Sequence, residues 1–131
     1  MPRIGVLILQ LGTPDEPTPK AVRRYLREFL GDPRVIEAPR LRWWFVLNFL
    51  ILPRRAPESA AKYARIWDDR TGSPLLHITH LQAEALARAL PQGFVVRYGM
   101  RYGKPSIDQA LAELCAAGAD RIVALPMYPQ Y

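Results

Sequence analysis

The first long hydrophobic run of the chain lies almost at its N-terminus. The segment from Ile4 to Leu11 is nearly continuously apolar, and Gly12-Thr13-Pro14 ends it. A run of this kind, bounded by glycine and proline, is typical of a strand that is buried on both faces of a parallel sheet. Because an amphipathic helix follows, we expect a parallel α/β sheet with this strand near its middle, and function at the loop where the strand ends.

The remaining elements are predicted from capping residues, prolines and apolar periodicity. They are a helix from Pro19 to Leu30 capped by Thr18, a helix opened by Pro57 from Glu58 to about Asp69, a helix from Pro74 to about Leu90, a strand from Phe94 to Met100, a helix capped by Ser106, and a strand from Arg121 to Leu125. The Pro74 helix is expected to turn inward Leu75, Ile78, Leu81, Leu86 and Leu90. The order of strands and helices indicates one domain over residues 1–131, incomplete at its end because no helix follows the last strand.

The segment from Leu41 to Leu52 has an unusual pattern, since Arg42 and Asn48 are its only polar residues. It is too short to span a bilayer and too apolar all round for an ordinary surface helix. One interpretation is a helix buried between two layers. The other is an apolar lip that meets a membrane surface or an apolar anionic ligand. The aromatic residues are Trp43, Trp44, Phe45 and Phe49, and the arginines around them are Arg40, Arg42, Arg54 and Arg55.

Composition narrows the class of protein. Of 131 residues 50% are hydrophobic, which is enough for a packed core, and the net charge of +6 favours anionic partners. The single cysteine, Cys115, excludes an internal disulfide and fits a reducing compartment; its helical position predicts a packing residue. No run is long enough to span a membrane and no signal-peptide pattern is present, so we expect a cytoplasmic protein.

Several common kinds of site are disfavoured. The loop Gly12-Thr13-Pro14 has one glycine where a dinucleotide fingerprint needs three, and no Walker motif occurs. His77, His80 and Glu84 share a helical face at a spacing that can bind a metal, but surface histidines at this spacing are common. The basic residues are spread along the chain without a nucleic-acid-binding module, so no nucleic-acid partner is expected.

The loops after the strands remain as candidates. In a parallel sheet the segments Leu11 to Pro14, Arg101 to Gly103 and Tyr128 to Tyr131 lie along one edge. With the aromatic segment and Arg54-Arg55, they predict a cleft lined by apolar groups with arginines at its margin. Such a cleft suits a large, flat, apolar ligand that carries carboxylates.

The chain also resembles the N-terminal part of the ferrochelatase family, whose members insert ferrous iron into a porphyrin. The matching segments are collinear and cover nearly the whole chain. They are Leu11-Gly12-Thr13-Pro14, Arg24-Tyr25-Leu26 through Phe29-Leu30, Asp32-Pro33-Arg34-Val35, Leu52-Pro53-Arg54-Arg55, Tyr63 with Ile66-Trp67, Gly72-Ser73-Pro74-Leu75, Met100-Arg101-Tyr102-Gly103 and Tyr128-Pro129-Gln130-Tyr131.

The resemblance implies a three-layer αβα, chelatase-like (Rossmann-like) fold, of which this chain is the N-terminal domain, with the C-terminal half of the protein missing. It implies protoporphyrin IX or coproporphyrin III and ferrous iron as substrates, with no cofactor required. It also implies porphyrin contacts from Leu11, Arg54, Arg55, Tyr63, Ser73, Arg101, Tyr102 and Tyr128, and peripheral contact with the inner face of the membrane through the lip.

The resemblance assigns no catalytic or metal-binding residue to this chain. In the family the catalytic histidine and its acidic partner follow the Tyr128-Pro129-Gln130-Tyr131 motif, and neither His77 nor His80 matches that position. We therefore expect the chain to be inactive alone. The alternative is a free-standing module that binds a tetrapyrrole or a membrane surface without catalysis.

Overall fold

The computed structural model describes residues 2–129. Its elements are β1 (Ile4–Gly12), α1 (Pro19–Leu30), α2 (Arg40–Val46), a π-helical segment (Leu47–Ile51), α3 (Leu52–Ile66), α4 (Pro74–Ala89), β2 (Phe94–Tyr102), α5 (Ile107–Ala116) and β3 (Arg121–Pro126). The chain forms two compact units. The sheet unit runs up to Gly12 and resumes at Leu75, and the helical unit is Thr13–Pro74. That residues 1–131 form a single N-terminal domain stays a prediction.

The sheet unit is built on β1, which lies between β2 and β3 and pairs with both in parallel. Alternate residues of β1 face opposite layers. Val6 and Ile8 pack with Ala83 of α4, and Leu7 packs with Ala110 and Leu114 of α5. Helices therefore pack on both faces of the central strand β1, which confirms the predicted three-layer α/β fold with the first strand at its centre.

The connection from β2 to α5 requires a residue without a side chain. A Cβ at Gly99 would lie 2.8 Å from Ile107 Cα and 3.1 Å from the Ser106 carbonyl oxygen. Ser106 caps α5, as predicted, because its hydroxyl accepts from the Gln109 amide at 3.1 Å. The start of α5 is thereby held directly against β2.

The helical unit packs α1 against α3 around a core of Leu30, Leu47 and Leu52. Thr18 caps α1 as predicted, since its hydroxyl accepts from the Ala21 amide at 3.3 Å. Trp43 lies against this core and donates from its indole nitrogen to the Leu30 carbonyl at 2.7 Å. A partly buried indole favours such an acceptor, and this one fixes α2 to the end of α1.

The predicted helix start at Pro57 is wrong. α2, the π-helical segment and α3 follow each other without a break, Pro57 lies inside α3, and the helix ends at Ile66 rather than near Asp69. Pro53 lies in the first turn of α3, directly after the π-helical segment. Proline therefore marks a change of helix type here and not a boundary between helices.

Two predictions about burial fail, the first of them in part. On α4, Ile78 and Leu81 are 52% and 46% exposed, against the prediction, while Leu86 and Leu90 pack against the core as predicted. Cys115 is exposed and is not a core packing residue. When apolar residues are spread around a helix, the element that packs against it determines which side is buried.

Candidate functional site

Four of the predicted site residues lie at the carboxyl edge of the sheet. β1 and β2 end in register, with Gly12 opposite Tyr102. Leu11 and Arg101 are therefore each the next-to-last residue of their strand. Beyond β3 the Met127 amide donates to the Leu9 carbonyl at 2.9 Å, which carries the chain along this edge to Tyr128. The structure thus brings Leu11, Arg101, Tyr102 and Tyr128 to one edge, as parallel topology requires. Gln130 and Tyr131 lie outside the described residues.

Arg101 and Tyr102 form the polar part of this edge. The Arg101 guanidinium carbon lies 4.8 Å from the centroid of the Tyr102 ring, a cation–π distance, and Tyr102 is only 4% exposed. The buried ring holds the half-buried guanidinium in a fixed place. Leu11 lies on the neighbouring strand, so the cation can pair with an anionic group while the leucine contacts an apolar surface.

In the helical unit, Arg54, Arg55 and Tyr63 lie on α3. Both arginines are exposed in its first turn, and Tyr63 is half-buried two turns later. Eight residues of α-helix separate Arg55 from Tyr63 by about 12 Å and about 80° around the axis, whereas Arg54 lies on about the opposite side from Tyr63. Of the two arginines, Arg55 is therefore the better placed to share a ligand with Tyr63.

The environment of Tyr63 is apolar. Its ring meets the Trp67 ring edge-on, with centroids 6.4 Å apart, and burial raises the pKa of its phenol. The phenol thus stays protonated at neutral pH, so it acts as a hydrogen-bonding group beside an aromatic surface and not as a base.

Ser73 lies in a buried hydrogen-bond pair. Its Oγ is 2.7 Å from Thr13 Oγ1, and both residues are 4% exposed. The preceding loop is closed by two backbone hydrogen bonds between Asp68 and Gly72, of 3.0 and 2.8 Å. The sequence analysis named Ser73 as a site residue and included Thr13 only as part of the loop from Leu11 to Pro14, without a role of its own.

The apolar segment presents an exposed cluster, which we call the aromatic lip: Trp44, Phe45, Phe49 and Leu50. They are 53%, 51%, 65% and 68% exposed. Trp44 meets Phe45 and Phe49 edge-on at 5.0 and 5.9 Å, and the two phenylalanines stack at 6.0 Å. The exposed interpretation of this segment therefore holds for these four residues, whereas Trp43 belongs to the core.

Arg23 is a contact of this segment that the sequence did not reveal. Its Nη2 donates to the Asn48 backbone carbonyl, inside the π-helical segment, at 3.1 Å. The only sequence signal that could have pointed to it is Pro53, which withdraws a backbone donor from this part of the helix.

The histidines do not gather into a metal centre. Among residues 2–129 no group of three or more His, Cys, Asp and Glu side chains could hold a metal ion. His80 pairs with Glu84 at 3.3 Å on the surface of α4. Nearby a cavity of about 330 Å³ is lined by His80, Arg97, Tyr98, Pro105, Gln109 and Glu113, none of them a predicted porphyrin contact.

Across residues 2–129, no helix has the length and apolar character needed to cross a membrane.

Comparisons with known proteins agree on one family. The family model described as Ferrochelatase matches residues 3–131. The chain is 51% identical over 132 residues to a ferrochelatase of Actinobacillus pleuropneumoniae serotype 5b (strain L20), covering 98% of this chain and 41% of that protein. It is 54% identical over 134 residues to a ferrochelatase of Herminiimonas arsenicoxydans, covering 100% of this chain and 36% of the relative. The chain thus spans only about two-fifths of the length of these curated relatives.

Proposed function

The chain belongs to the ferrochelatase family, and we propose that it is the porphyrin-binding N-terminal portion of an enzyme that inserts ferrous iron into protoporphyrin IX or coproporphyrin III. Both iron and porphyrin are substrates in this proposal, and it includes no resident cofactor. A porphyrin is a flat apolar macrocycle with carboxylate side chains, so it needs apolar surfaces and fixed cations together.

The arrangement at the carboxyl edge of the sheet is the observation that carries the proposal. Leu11 supplies an apolar surface at this edge. The Arg101 guanidinium supplies a cation, and its carbon lies 4.8 Å from the centroid of the Tyr102 ring. We assign Leu11 and Tyr128 to contact with the macrocycle, and Arg101 to a propionate. A fixed guanidinium favours a carboxylate by charge-assisted hydrogen bonds, which are roughly twice as strong as neutral ones.

We assign a second set of contacts to the helical unit. Arg54 and Arg55 are exposed in the first turn of α3, and Tyr63 offers a protonated phenol beside Trp67. Ser73 acts through its hydrogen bond to Thr13, which holds the turn before α4.

The aromatic lip supports a finer proposal, peripheral contact with an anionic membrane. Three aromatic rings and Leu50 are exposed together, and Arg42 and Arg54 lie close to them in sequence. Apolar burial and attraction to anionic headgroups add in such a surface. Vesicles of phosphatidylglycerol should sediment the chain, and Phe49→Ser with Leu50→Ser should abolish this; co-sedimentation that is unchanged would refute the contact.

Titration of the chain with protoporphyrin IX, followed by the Soret absorbance, tests the main proposal. We expect Arg55→Ala and Arg101→Ala each to weaken binding about tenfold, because each removes a charge-assisted contact. Arg88→Ala on α4 is the matched control, since it removes the same charge from an exposed position outside the assigned set. If both variants bind as tightly as the control, the assignment is wrong.

An iron-insertion assay completes the test. We expect no turnover by this chain alone, because the resemblance places the family's catalytic histidine beyond the Tyr-Pro-Gln-Tyr motif. Haem formation by the 131-residue chain would refute this part.

A further inference from the structure

The π-helical segment has a local cause in Pro53. In a regular α-helix each amide donates to the carbonyl four residues earlier, but Pro53 has no amide hydrogen and its ring clashes with the carbonyl at that distance, that of Phe49. The helix widens by one residue, and the Leu52 amide donates to the Leu47 carbonyl, five residues earlier.

This widening leaves the Asn48 carbonyl without a donor from its own helix. In the α-helical pattern the donor would be Leu52, whose amide goes to Leu47 instead. In the π-helical pattern the donor would be Pro53, which has none. Asn48 is 9% exposed, so its carbonyl would be buried and unsatisfied without help. Arg23 of α1 supplies the missing donor, with Nη2 at 3.1 Å.

The π-helical segment also sets which residues face outward. Leu47 and Leu52 are 2% and 0% exposed, although five residues of regular α-helix would separate them by about 140° around the axis. The wider turn brings both leucines into the core, and Phe49 and Leu50 between them are exposed. It therefore determines the angle between the aromatic lip and the arginine pair that follows Pro53.

We propose that Arg23 is a positioning residue for ligand binding. By completing the hydrogen bonding of the π turn, it holds the aromatic lip and Arg54-Arg55 in the relative orientation that an apolar ligand with carboxylates needs. Arg23 itself does not contact the ligand. This inference rests on the proposed function, since it assigns the ligand of the same surface.

The experiment compares binding of protoporphyrin IX with that of its dimethyl ester, which has no free carboxylate. The wild-type chain should prefer the free acid, and Arg23→Met should reduce this preference by about tenfold, the effect of losing one charged hydrogen bond. Arg24→Met removes the same charge at the neighbouring exposed position and should keep the preference. A general loss of stability would weaken both ligands equally, so an unchanged ratio in Arg23→Met overturns the proposal.

A second set of variants, made in a Pro53→Ala chain, tests whether the missing amide of Pro53 is the reason that Arg23 is needed. Pro53→Ala restores a backbone amide that can serve the helix, so Arg23→Met should have little effect on the ratio in that background. An equal effect of Arg23→Met in both backgrounds would overturn the proposal.

Amide hydrogen exchange of Leu52 tests the role of Arg23 in the π turn separately from porphyrin binding. We expect faster exchange of this amide in Arg23→Met than in Arg24→Met, whether or not porphyrin binds. If the wild-type chain binds neither porphyrin, the proposed function fails, and the exchange rates still decide whether Arg23 holds the π turn. Equal exchange in the two variants would show that it does not.

Discussion

Replacing Leu52 with alanine tests the packing of the helical unit. Leu52 is 0% exposed and packs with Leu30 and Leu47, so Leu52→Ala removes core contacts and leaves a cavity. Buried Leu→Ala changes cost about 2–5 kcal/mol, and complete burial places this one at about 3 kcal/mol. With an m-value of about 2 kcal/mol/M, the urea midpoint should fall by about 1.5 M.

Leu50→Ala is the matched control, because it removes the same atoms two residues earlier from a side chain that is 68% exposed. It should cost less than about 0.5 kcal/mol. Tryptophan fluorescence is the measurement, since Trp43, Trp44 and Trp67 all lie in the helical unit and report its unfolding. Equal costs for the two leucines would refute the orientation that we attribute to the π turn.

Two further predictions concern other elements. Gly99→Ala should lower the free energy of unfolding by about 1–3 kcal/mol, because its Cβ would lie 2.8 Å from Ile107 Cα; a thermal melt that matches wild type would contradict this close approach. Burial raises the pKa of Tyr63, so the folded chain keeps this phenol proton to higher pH and the free energy of unfolding falls as the pH rises past the ordinary tyrosine value. Phenolate absorbance of the wild type minus that of Tyr63→Phe should show the raised pKa, and titration at the ordinary value would exclude it.

Much of the sheet unit could be predicted from local pattern. The apolar run of β1 indicates burial on both faces, and in the structure Val6 and Leu7 do face opposite helix layers. Capping by Thr18 and Ser106 was also predictable, because a cap is a contact between residues three apart. The edge residues Leu11 and Arg101 followed from topology, since parallel strands end on the same side.

The helical unit was harder to predict because its decisive contacts are non-local. Local rules make proline a helix start, yet the helix continues through both Pro53 and Pro57. At Pro53, Arg23 on another helix satisfies the Asn48 carbonyl that proline leaves open. The pairing of Ser73 with Thr13 likewise joins residues 60 positions apart.

The sequence by itself determined the order of the strands, the helices outside residues 40–66, the caps of α1 and α5, the family and the loops that carry candidate contacts. Only the tertiary structure decided which side of each helix is buried. Ile78 and Cys115 face solvent, and the aromatic lip is exposed whereas Trp43 packs against the core. The physical reason is that helix hydrogen bonds and caps join residues close in sequence, whereas burial depends on the partner that packs against each helix.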